Sequence, residues 1–275
     1  MRFGRSLRLI WLFVPLLAVP AQAQFTSAEL AERPKWEAFL KTSEVVSKEQ
    51  LSFGQGVTEP WRLTLRQGDV VRRALWKDAT GVRGGYLEGW RYEVAAYVVD
   101  KLIGLGMVPP TVTRAWEGRT GSCQLWIDGT ALYRDQVKKP ELAAEFHSDR
   151  WQDTGYLAQF FDNLIGNEDR HPGNVLVTRD YLAILIDHSR TFRIGPSFTE
   201  AIPFSEKTVA PEDLMRRLPR ALVERTAALD ETTLRGALKG LLSEAEIRAV
   251  LARRELLLRE VRRIVERFGE ANVLY

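Results

Sequence analysis

The fold is decided by residues 163–174, which read Asn-Leu-Ile-Gly-Asn-Glu-Asp-Arg-His-Pro-Gly-Asn. Asp169 stands five positions before Asn174, and Asp187 follows eighteen positions after Asp169, at the end of an apolar run. Carboxylate and amide oxygens are the ligands that Mg²⁺ and Mn²⁺ prefer. Taken singly, Asp169 could cap a turn, Asn174 could close an Asx turn and Asp187 could end a strand. Their joint spacing predicts a metal-dependent site.

The spacing of this site is that of a kinase catalytic loop, Asp-x-x-x-x-Asn. In such a loop the Asp orients the attacking hydroxyl and the Asn binds metal, while a later Asp is a further metal ligand. Asp169, Asn174 and Asp187 have the spacing that these three roles require. The sequence therefore predicts phosphoryl transfer, a reaction in which the protein mainly positions groups and stabilises charge.

The chain before residue 128 is rich in strand patterns around one prominent helix. Apolar residues at helical spacing predict that helix at residues 88–104, ended by Gly104 and followed by Pro109 and Pro110. Residues 24–50 are predicted to form a helical extension that Ser27 could cap. Strand and turn patterns predict four strands, at residues 61–65, 70–77, 111–116 and 122–127, and a loop at residues 78–85.

The chain after residue 128 is mostly helical. One hairpin interrupts it, with strands at residues 175–177 and 182–186, and Ser243 with Glu246 forms a capping box. This order predicts an α+β, bilobal protein-kinase-like fold. We expect a β-rich N-lobe with one main helix at residues 51–128 and a mostly helical C-lobe at residues 129–275.

The N-terminus has the pattern of a secretory signal peptide, predicted at residues 1–23. Three arginines precede an apolar run at residues 9–19, and Ala21 and Ala23 are the small residues at a cleavage site. The alternative is an uncleaved anchor, but a membrane span needs about 20 apolar residues. We therefore expect cleavage after Ala23, an exported protein in the periplasm or outside the cell, and no stable membrane insertion.

Composition excludes further classes of function. Three of the 39 basic residues lie in the predicted signal peptide, so the remaining chain has 36 basic and 36 acidic residues. This balance gives no basic surface for nucleic acid, and we predict no nucleic-acid partner. The single cysteine, Cys123, excludes an internal disulfide and is predicted to be packed. We expect a monomer.

Residues 169–174, Asp-Arg-His-Pro-Gly-Asn, resemble the Asp-Arg-His-x-x-Asn loop of phosphoinositide 3- and 4-kinases. They also resemble the loop of the secretory-pathway kinases of the Golgi casein kinase and four-jointed group, the family with sequence similarity twenty. Residues 93–112, with Glu93-Val-Ala-Ala-Tyr97 and Val108-Pro-Pro-Thr-Val112, are similar to the helix and following strand of that second group. Residues 187–192 resemble its metal-binding Asp segment, with Arg and Phe retained.

The resemblance implies roles for the first half of the chain. Lys77 would contact the ATP phosphates and Glu93 would pair with it, with Glu88 as a rival predicted on the same helix. The segment Gly54, Gln55 and Gly56 would lie over the phosphates, although it lacks the full Gly-x-Gly-x-x-Gly pattern.

Further roles follow from the same resemblance. The hinge, with backbone contacts to adenine, is assigned to residues 124–128, which include Gln124, Trp126 and Ile127. Asp169 would orient the acceptor, and His171 would brace the loop by hydrogen bonds. Asn174 and Asp187 would hold the metal. ATP and Mg²⁺ or Mn²⁺ are therefore the implied cofactors.

The sequence departs from these families in three ways. His188 and Ser189 replace the Phe-Gly that follows the metal-binding Asp in ordinary protein kinases. The cystine framework of eukaryotic secretory relatives is absent. Asn174 makes the end of the loop resemble that of the lipid kinases more than that of the secretory kinases. We predict an exported kinase that transfers the ATP γ-phosphate to a hydroxyl on an unidentified protein or glycan. The alternatives are a pseudokinase that acts as a binding module, nucleotide transfer to protein, and a phosphoinositide-type lipid kinase.

Overall fold

The structure is a computed structural model, and it describes residues 25–51, 60–83, 85–167 and 169–275. Within these residues the strands, in chain order, are β1 (Glu44–Gln50), β2 (Trp61–Gln67), β3 (Val70–Lys77), β4 (Thr80–Arg83), β5 (Tyr86–Gly89), β6 (Thr111–Trp116), β7 (Arg119–Leu125), β8 (Ala131–Leu132), β9 (Val175–Val177) and β10 (Ala183–Leu185). The helices are α1 (Ser27–Ala31), α2 (Arg33–Thr42), α3 (Trp90–Ile103), α4 (Tyr133–Gln136), α5 (Ala143–Phe146), α6 (Asp149–Ile165), α7 (Pro196–Thr199), α8 (Arg220–Ala227), α9 (Glu231–Ala237), α10 (Glu244–Phe268) and α11 (Glu270–Val273).

The predicted α+β bilobal architecture is confirmed. A five-stranded sheet in the order β1-β2-β3-β7-β6 forms the N-terminal lobe, with α3 as its main helix. The C-terminal lobe is mostly helical and contains a small sheet in the order β10-β9-β8. The boundary near residue 128 stays a prediction.

The predicted helical extension at residues 24–50 is wrong in its last third. Its helices end at Thr42, and residues 44–50 form β1, an edge strand paired antiparallel with β2. The apolar side chains that hold α2 against the sheet, Phe39 and Leu40, are both buried and both lie before this point. Beyond them the β-branched Val45 and Val46 favour a strand, and the backbone of β2 supplies its hydrogen bonds.

The segment predicted as a loop at residues 78–85 is also different. Strands β4 and β5 pair across it as an antiparallel hairpin, with Arg83 opposite Tyr86. Glu88 therefore lies on β5, not on the helix, which begins at Trp90. Helix α3 ends at Gly104, whose φ of 69° is the left-handed conformation that terminates helices.

One continuous apolar core joins α3 to the C-terminal lobe. Ala96, Val99 and Ile103 of α3 belong to the same buried cluster as Phe160 and Phe161 of α6. The long helix α10 contributes to it as well, and the predicted capping box of Ser243 and Glu246 begins that helix. A second cluster fills the space between α2 and the sheet.

The N-terminal lobe also contains a buried cysteine and a buried, hydrogen-bonded aspartate. Cys123 is completely buried in the second cluster, and burial raises the pKa of its thiol to about 12, as expected for a packed cysteine. The buried Asp100 near the end of α3 accepts hydrogen bonds from Arg33 at 2.7 Å and from the backbone N–H of Met107 and Val108 at 2.7 and 3.0 Å. These bonds tie α2, α3 and the following turn into one rigid unit.

Candidate active site

The centre of the site is an ion cluster around Lys77. The Lys77 Nζ lies 2.7 Å from Glu93 Oε1 and 2.9 Å from Asp187 Oδ1. Lys77 ends β3, Glu93 lies in the first turn of α3, and Asp187 follows β10, so the cluster joins three elements from both lobes. Of the two candidate glutamates, the structure brings Glu93 to Lys77.

The charges in this cluster stabilise one another. Burial alone would lower the pKa of Lys77, but the carboxylates of Asp187 and Glu93 raise it above its usual range. Burial alone would raise the pKa of Glu93, but Lys77 and the contacts from His188 hold it well below its usual range. Both groups are therefore ionised at neutral pH, as a lysine that meets phosphates requires.

Asp187 differs from its partners in exposure and backbone. Its side chain is 38% exposed, whereas that of Glu93 is 3% exposed. The φ of Asp187 is 59°, a conformation that is uncommon outside glycine and that often occurs at functional sites. Lys77 and Ser189 both contact Oδ1, at 2.9 and 3.2 Å. Among the described residues Oδ2 has no partner, so it can bind a ligand.

The hairpin β9–β10 brings Asn174 and Asp187 to the same end. Leu185 pairs with Val175, and the Ile186 N–H donates to the Asn174 carbonyl at 3.1 Å. The strand ladder therefore ends with the two predicted metal ligands side by side.

Asp169 is held at the edge of this group. The side-chain amide of Asn174 donates to the Asp169 carbonyl at 2.9 Å, and the Asp169 N–H donates to Asn167 Oδ1 at 3.0 Å. The Asp169 side chain is 34% exposed, with Arg190 3.4 Å from Oδ2. Its backbone is fixed while its carboxylate faces solvent, which suits a group that must meet an acceptor.

The main brace of the loop is Arg170, which sequence reasoning missed. It makes a two-pronged contact with the completely buried Asp162, with Nε–Oδ2 at 2.9 Å and Nη2–Oδ1 at 3.0 Å. Its Nη1 donates to the carbonyls of Asn174 and Ile186 at 2.7 and 3.0 Å. The predicted brace, His171, is exposed, and its bonds stay within the loop: Nδ1 accepts from the Gly173 N–H, its backbone N–H donates to the Asp169 carbonyl and its carbonyl accepts from the Asn174 N–H. In the sequence, the position of Arg170 directly after Asp169 is the feature that could have indicated this bracing role.

His188 also has a structural role that the sequence did not indicate. It is completely buried, and its backbone N–H donates to Glu93 Oε2 at 2.9 Å. Its Nε2 lies 3.0 Å from Arg170 Nη2. An arginine can only donate, so Nε2 accepts and the ring proton lies on Nδ1. The histidine thus links Arg170 with the Lys77 cluster.

Glu88 has a partner other than Lys77. It is 2% exposed and accepts from Arg190 Nε at 2.6 Å. Burial alone would lower the pKa of Arg190, but the hydrogen bond and charge of Glu88 raise it. Arg190 therefore connects β5 with Asp169, a contact between residues that are far apart in sequence.

The predicted adenine and phosphate contacts are only partly covered by the structure. Gly54, Gln55 and Gly56 lie outside the described residues, in the connection between β1 and β2. Gln124 is buried, with its side-chain amide donating to Thr111 at 2.9 Å. The Trp126 N–H donates to the Arg73 carbonyl at 3.0 Å, so that amide is not free for adenine, and the Ile127 carbonyl accepts from Thr130 at 2.9 Å.

A cavity of about 240 Å³ lies next to Lys77. Its lining includes Arg83 and Arg119 as two further cations and Asp78 as an acid. Arg119 Nη1 lies 2.6 Å from Asp78 Oδ2, so these two charges compensate each other. Of the candidate site residues Lys77, Asn174 and Asp187, Lys77 lines this cavity and the other two do not.

The donor atoms of Asn174 and Asp187 fit a divalent metal. Asp187 offers a free carboxylate oxygen, and the amide oxygen of Asn174 has no hydrogen-bond partner among the described residues. Within the described part of the chain, no group of three or more His, Cys, Asp or Glu could hold a metal alone. Two oxygen ligands completed by phosphates and water are what a Mg²⁺ site in a nucleotide-dependent enzyme uses.

Solved structures that share this architecture include kinases. The structure of hydra Fam20 with sugar matches with a TM-score of 0.62 and 14% identity over 89% of this chain and 92% of its own. The Golgi casein kinase with Mn/ADP bound matches with a TM-score of 0.62 and 14% identity over 91% of this chain and 80% of its own. This chain has the fold of the Fam20-type atypical kinases.

One further solved structure and one sequence relative are also similar to this chain. The Helicobacter pylori proinflammatory kinase CtkA matches with a TM-score of 0.52 and 10% identity over 84% of this chain and 97% of its own. Protein Rv2133c of Mycobacterium tuberculosis is 28% identical over an alignment of 143 residues, and the match covers 42% of this chain. The match spans 49% of that relative's length. No family model matches the chain. Among the helices of the described residues, none has the length and apolarity to cross a membrane.

Proposed function

We propose that this protein is an atypical kinase that transfers the γ-phosphate of ATP to a hydroxyl group on a protein, or on a glycan. The observation that carries the proposal is the cluster in which Lys77 meets both Glu93 and Asp187, with Asn174 at the end of the same hairpin. Kinases use a strand lysine, a helix glutamate, a metal-binding Asp and a loop Asn in this combination. The kinase neighbours, one of them with Mn/ADP bound, support it.

The residues divide the work by charge and exposure. Lys77, kept ionised by two carboxylates, binds the phosphates of the donor, and Glu93 orients it. Asn174 and Asp187 would hold Mg²⁺ or Mn²⁺, which supplies positive charge to the transferred phosphoryl group. Asp169, exposed at the edge of the cleft, orients the acceptor hydroxyl. Arg170 keeps the loop that carries Asp169 and Asn174 in register with Asp187.

Export is part of the proposal. The basic and apolar pattern of residues 1–23, which lie outside the described residues, supports a cleaved signal peptide. We propose that the mature protein acts in the periplasm or outside the cell. Its acceptor is therefore to be sought among exported proteins and glycans.

The test uses the mature protein with Mg²⁺ or Mn²⁺, total exported protein and ATP labelled at the γ or, separately, at the α position. Transfer of γ-label alone is the expected result. Transfer of α-label would replace the kinase with nucleotide transfer to protein. Absence of both labels, together with absence of metal-dependent ATP binding, would overturn an enzymatic function.

Two variants make this test specific. Asp187→Asn removes the charged metal ligand and is expected to abolish labelling. Asp180→Asn changes an exposed Asp in the turn of the same hairpin and is expected to leave labelling unchanged. Labelling that persists in Asp187→Asn would contradict the assignment of Asp187.

A further inference from the structure

Arg190 contacts three residues, two on the hairpin β4–β5 and one on the loop that follows α6. Its Nε lies 2.6 Å from Glu88 Oε1, and its guanidinium lies 4.3 Å from the centre of the Tyr86 ring. Its Nη1 lies 3.4 Å from Asp169 Oδ2. The first two partners are on β5, whereas Asp169 is on the loop that follows α6. One side chain therefore joins the N-terminal lobe to the proposed acceptor-orienting residue.

The hairpin is built to hold Arg190 firmly. Tyr86 and Glu88 are two positions apart on β5, so their side chains point to the same face of the hairpin. The aromatic ring stacks on the guanidinium, and the carboxylate accepts its Nε–H. Glu88 is 2% exposed and its second oxygen has no partner in the described part of the chain, so Arg190 is the cation that compensates a buried charge.

Asp169 needs such a contact because its side chain is otherwise loosely held. Hydrogen bonds from Asn174 and to Asn167 fix its main chain, and neither reaches its carboxylate. Among the described residues, Arg190 is the cation within 4.0 Å of that carboxylate. This contact is a 3.4 Å ion pair, and it can bias the orientation of the carboxylate relative to an incoming hydroxyl.

We propose that Arg190 is a positioning residue that aims Asp169 at the acceptor, with Glu88 and Tyr86 holding Arg190 in place. This inference rests on the proposed kinase function and assigns to the hairpin β4–β5 a part in that same site. The rival role for an arginine in a kinase site is direct contact with the transferred phosphate. The two roles differ because the rival acts on ATP and does not require Asp169.

The first measurement compares Arg190→Met and Arg190→Lys with wild type. The readouts are the rate of γ-label transfer at saturating ATP and the dissociation constant of ATP in the presence of metal. We expect Arg190→Met to lower the rate by about 100-fold, the loss that a misplaced group produces, and to leave ATP binding unchanged. Arg190→Lys retains the charge without the planar fork and is expected to recover part of the rate. Arg193→Met, three positions further along, is the matched control and is expected to match wild type.

The second measurement asks whether Arg190 acts through Asp169. Asp169→Asn is combined with Arg190→Met, and the rates of the four proteins form a cycle. We expect the double variant to be no slower than Asp169→Asn alone. Losses that multiply, or weakened ATP binding in Arg190→Met, would assign Arg190 to the phosphate and overturn the inference.

The third measurement separates positioning from stability. Arg190→Met leaves Glu88 buried without its cation and can unfold the protein for that reason alone. Arg190→Met with Glu88→Gln removes both charges, and we expect it to recover thermal stability but not transfer. Transfer that returns with stability would show a purely structural role and overturn the inference.

The results also distinguish this inference from the proposed function. A wild-type protein that transfers no label, under the conditions above, overturns both. If wild type transfers γ-label and Arg190→Met transfers it at the same rate, the positioning role is overturned and the kinase function stays in place.

Discussion

Asp162 and Asp187 are each paired with a cation, but they differ in exposure and in how many of their carboxylate oxygens accept hydrogen bonds. Asp162 is completely buried, and both of its oxygens accept hydrogen bonds, from Arg170 and from Asn167 at 2.8–3.0 Å. Asp187 is 38% exposed, and its contacts within the described part of the chain, with Lys77 and Ser189, fall on a single oxygen. Both oxygens of Asp162 already accept hydrogen bonds within the protein, whereas Asp187 retains an oxygen with no hydrogen-bond partner among the described residues.

This difference distinguishes an ion pair that stabilises the fold from one that leaves a carboxylate oxygen available to a ligand. A buried carboxylate that is fully hydrogen-bonded fixes the elements around it, and its loss is felt as instability. A half-exposed carboxylate with a free oxygen contributes less to folding and is available to a ligand. Exposure and unused bonding capacity, more than the presence of a salt bridge, therefore indicate which Asp is available to a ligand.

The largest effect is expected at the open aspartate. Asp187→Ala removes the charged ligand of the proposed metal and should lower γ-label transfer by about 1,000-fold or more, the upper range for removing one electrostatic group. Because Glu93 still pairs with Lys77 in this variant, the thermal midpoint should fall less than in a variant that breaks a fully buried ion pair. A large drop in that midpoint, measured by circular dichroism, would show that Asp187 is structural after all.

The second effect is expected at the closed pair. Arg170→Met leaves Asp162 buried without a cation and should lower the free energy of unfolding by at least about 3 kcal/mol. Urea unfolding measures this value. Arg170→Met with Asp162→Asn is the matched variant and should recover a large part of the loss. Arg170→Met that unfolds at the same urea concentration as wild type would contradict the comparison.

The third prediction concerns the pH dependence of the Lys77–Glu93 pair. The folded pKa of Glu93 is lowered, so its stabilisation is present above the unfolded value of about 4.3 and is lost as the pH falls through the folded value. The pKa of Lys77 is raised, so its stabilisation is present below the unfolded value of about 10.4 and is lost as the pH rises through the folded value. The free energy of unfolding of wild type minus that of Lys77→Met with Glu93→Gln should therefore be constant between about pH 5 and pH 9.

The same difference should shrink only in stronger acid or base. Urea unfolding at a series of pH values measures it. A change centred near neutral pH would mean that another group, and not this pair, controls the difference.

The smallest effect is expected at Ser189. Ser189→Ala removes one hydrogen bond to the already occupied oxygen of Asp187, which is worth about 0.7 kcal/mol or about threefold in rate. The rate of γ-label transfer at saturating ATP measures it. A loss as large as that of Asp187→Ala would place Ser189 among the groups that contact the reactants.

The sequence predicted the parts of the site whose relations are local. Asn174 and Asp187 flank one short hairpin, so their spacing alone predicts that they meet. Lys77 ends β3 and Glu93 lies in the first turn of α3, 16 residues apart in the N-terminal lobe, and both were found through the family resemblance. The order of strands and helices likewise follows from local patterns, and it was enough to predict the bilobal fold.

The parts that were missed depend on distant contacts. Glu88 and Arg190 are 102 residues apart, and neither residue has a local pattern that marks the other as its partner. The strand character of residues 44–50 depends on the backbone of β2, because most of their side chains are exposed and carry no core pattern. His188 replaces an expected phenylalanine, and only its buried contacts with Arg170 and Glu93 explain why an imidazole is suitable there.

The shared core between α3 and the C-terminal lobe has a consequence for how the proposed kinase could be regulated. In many kinases the helix that carries the glutamate swings away from the lysine to switch activity off. Here Ala96, Val99 and Ile103 are completely buried in a cluster that continues into α6, and Asp100 fixes the end of the helix. An outward swing would expose this apolar surface to water and leave Asp100 uncompensated. These contacts fix α3 in place, and for the proposed kinase we therefore expect no inactive state in which this helix swings away from Lys77.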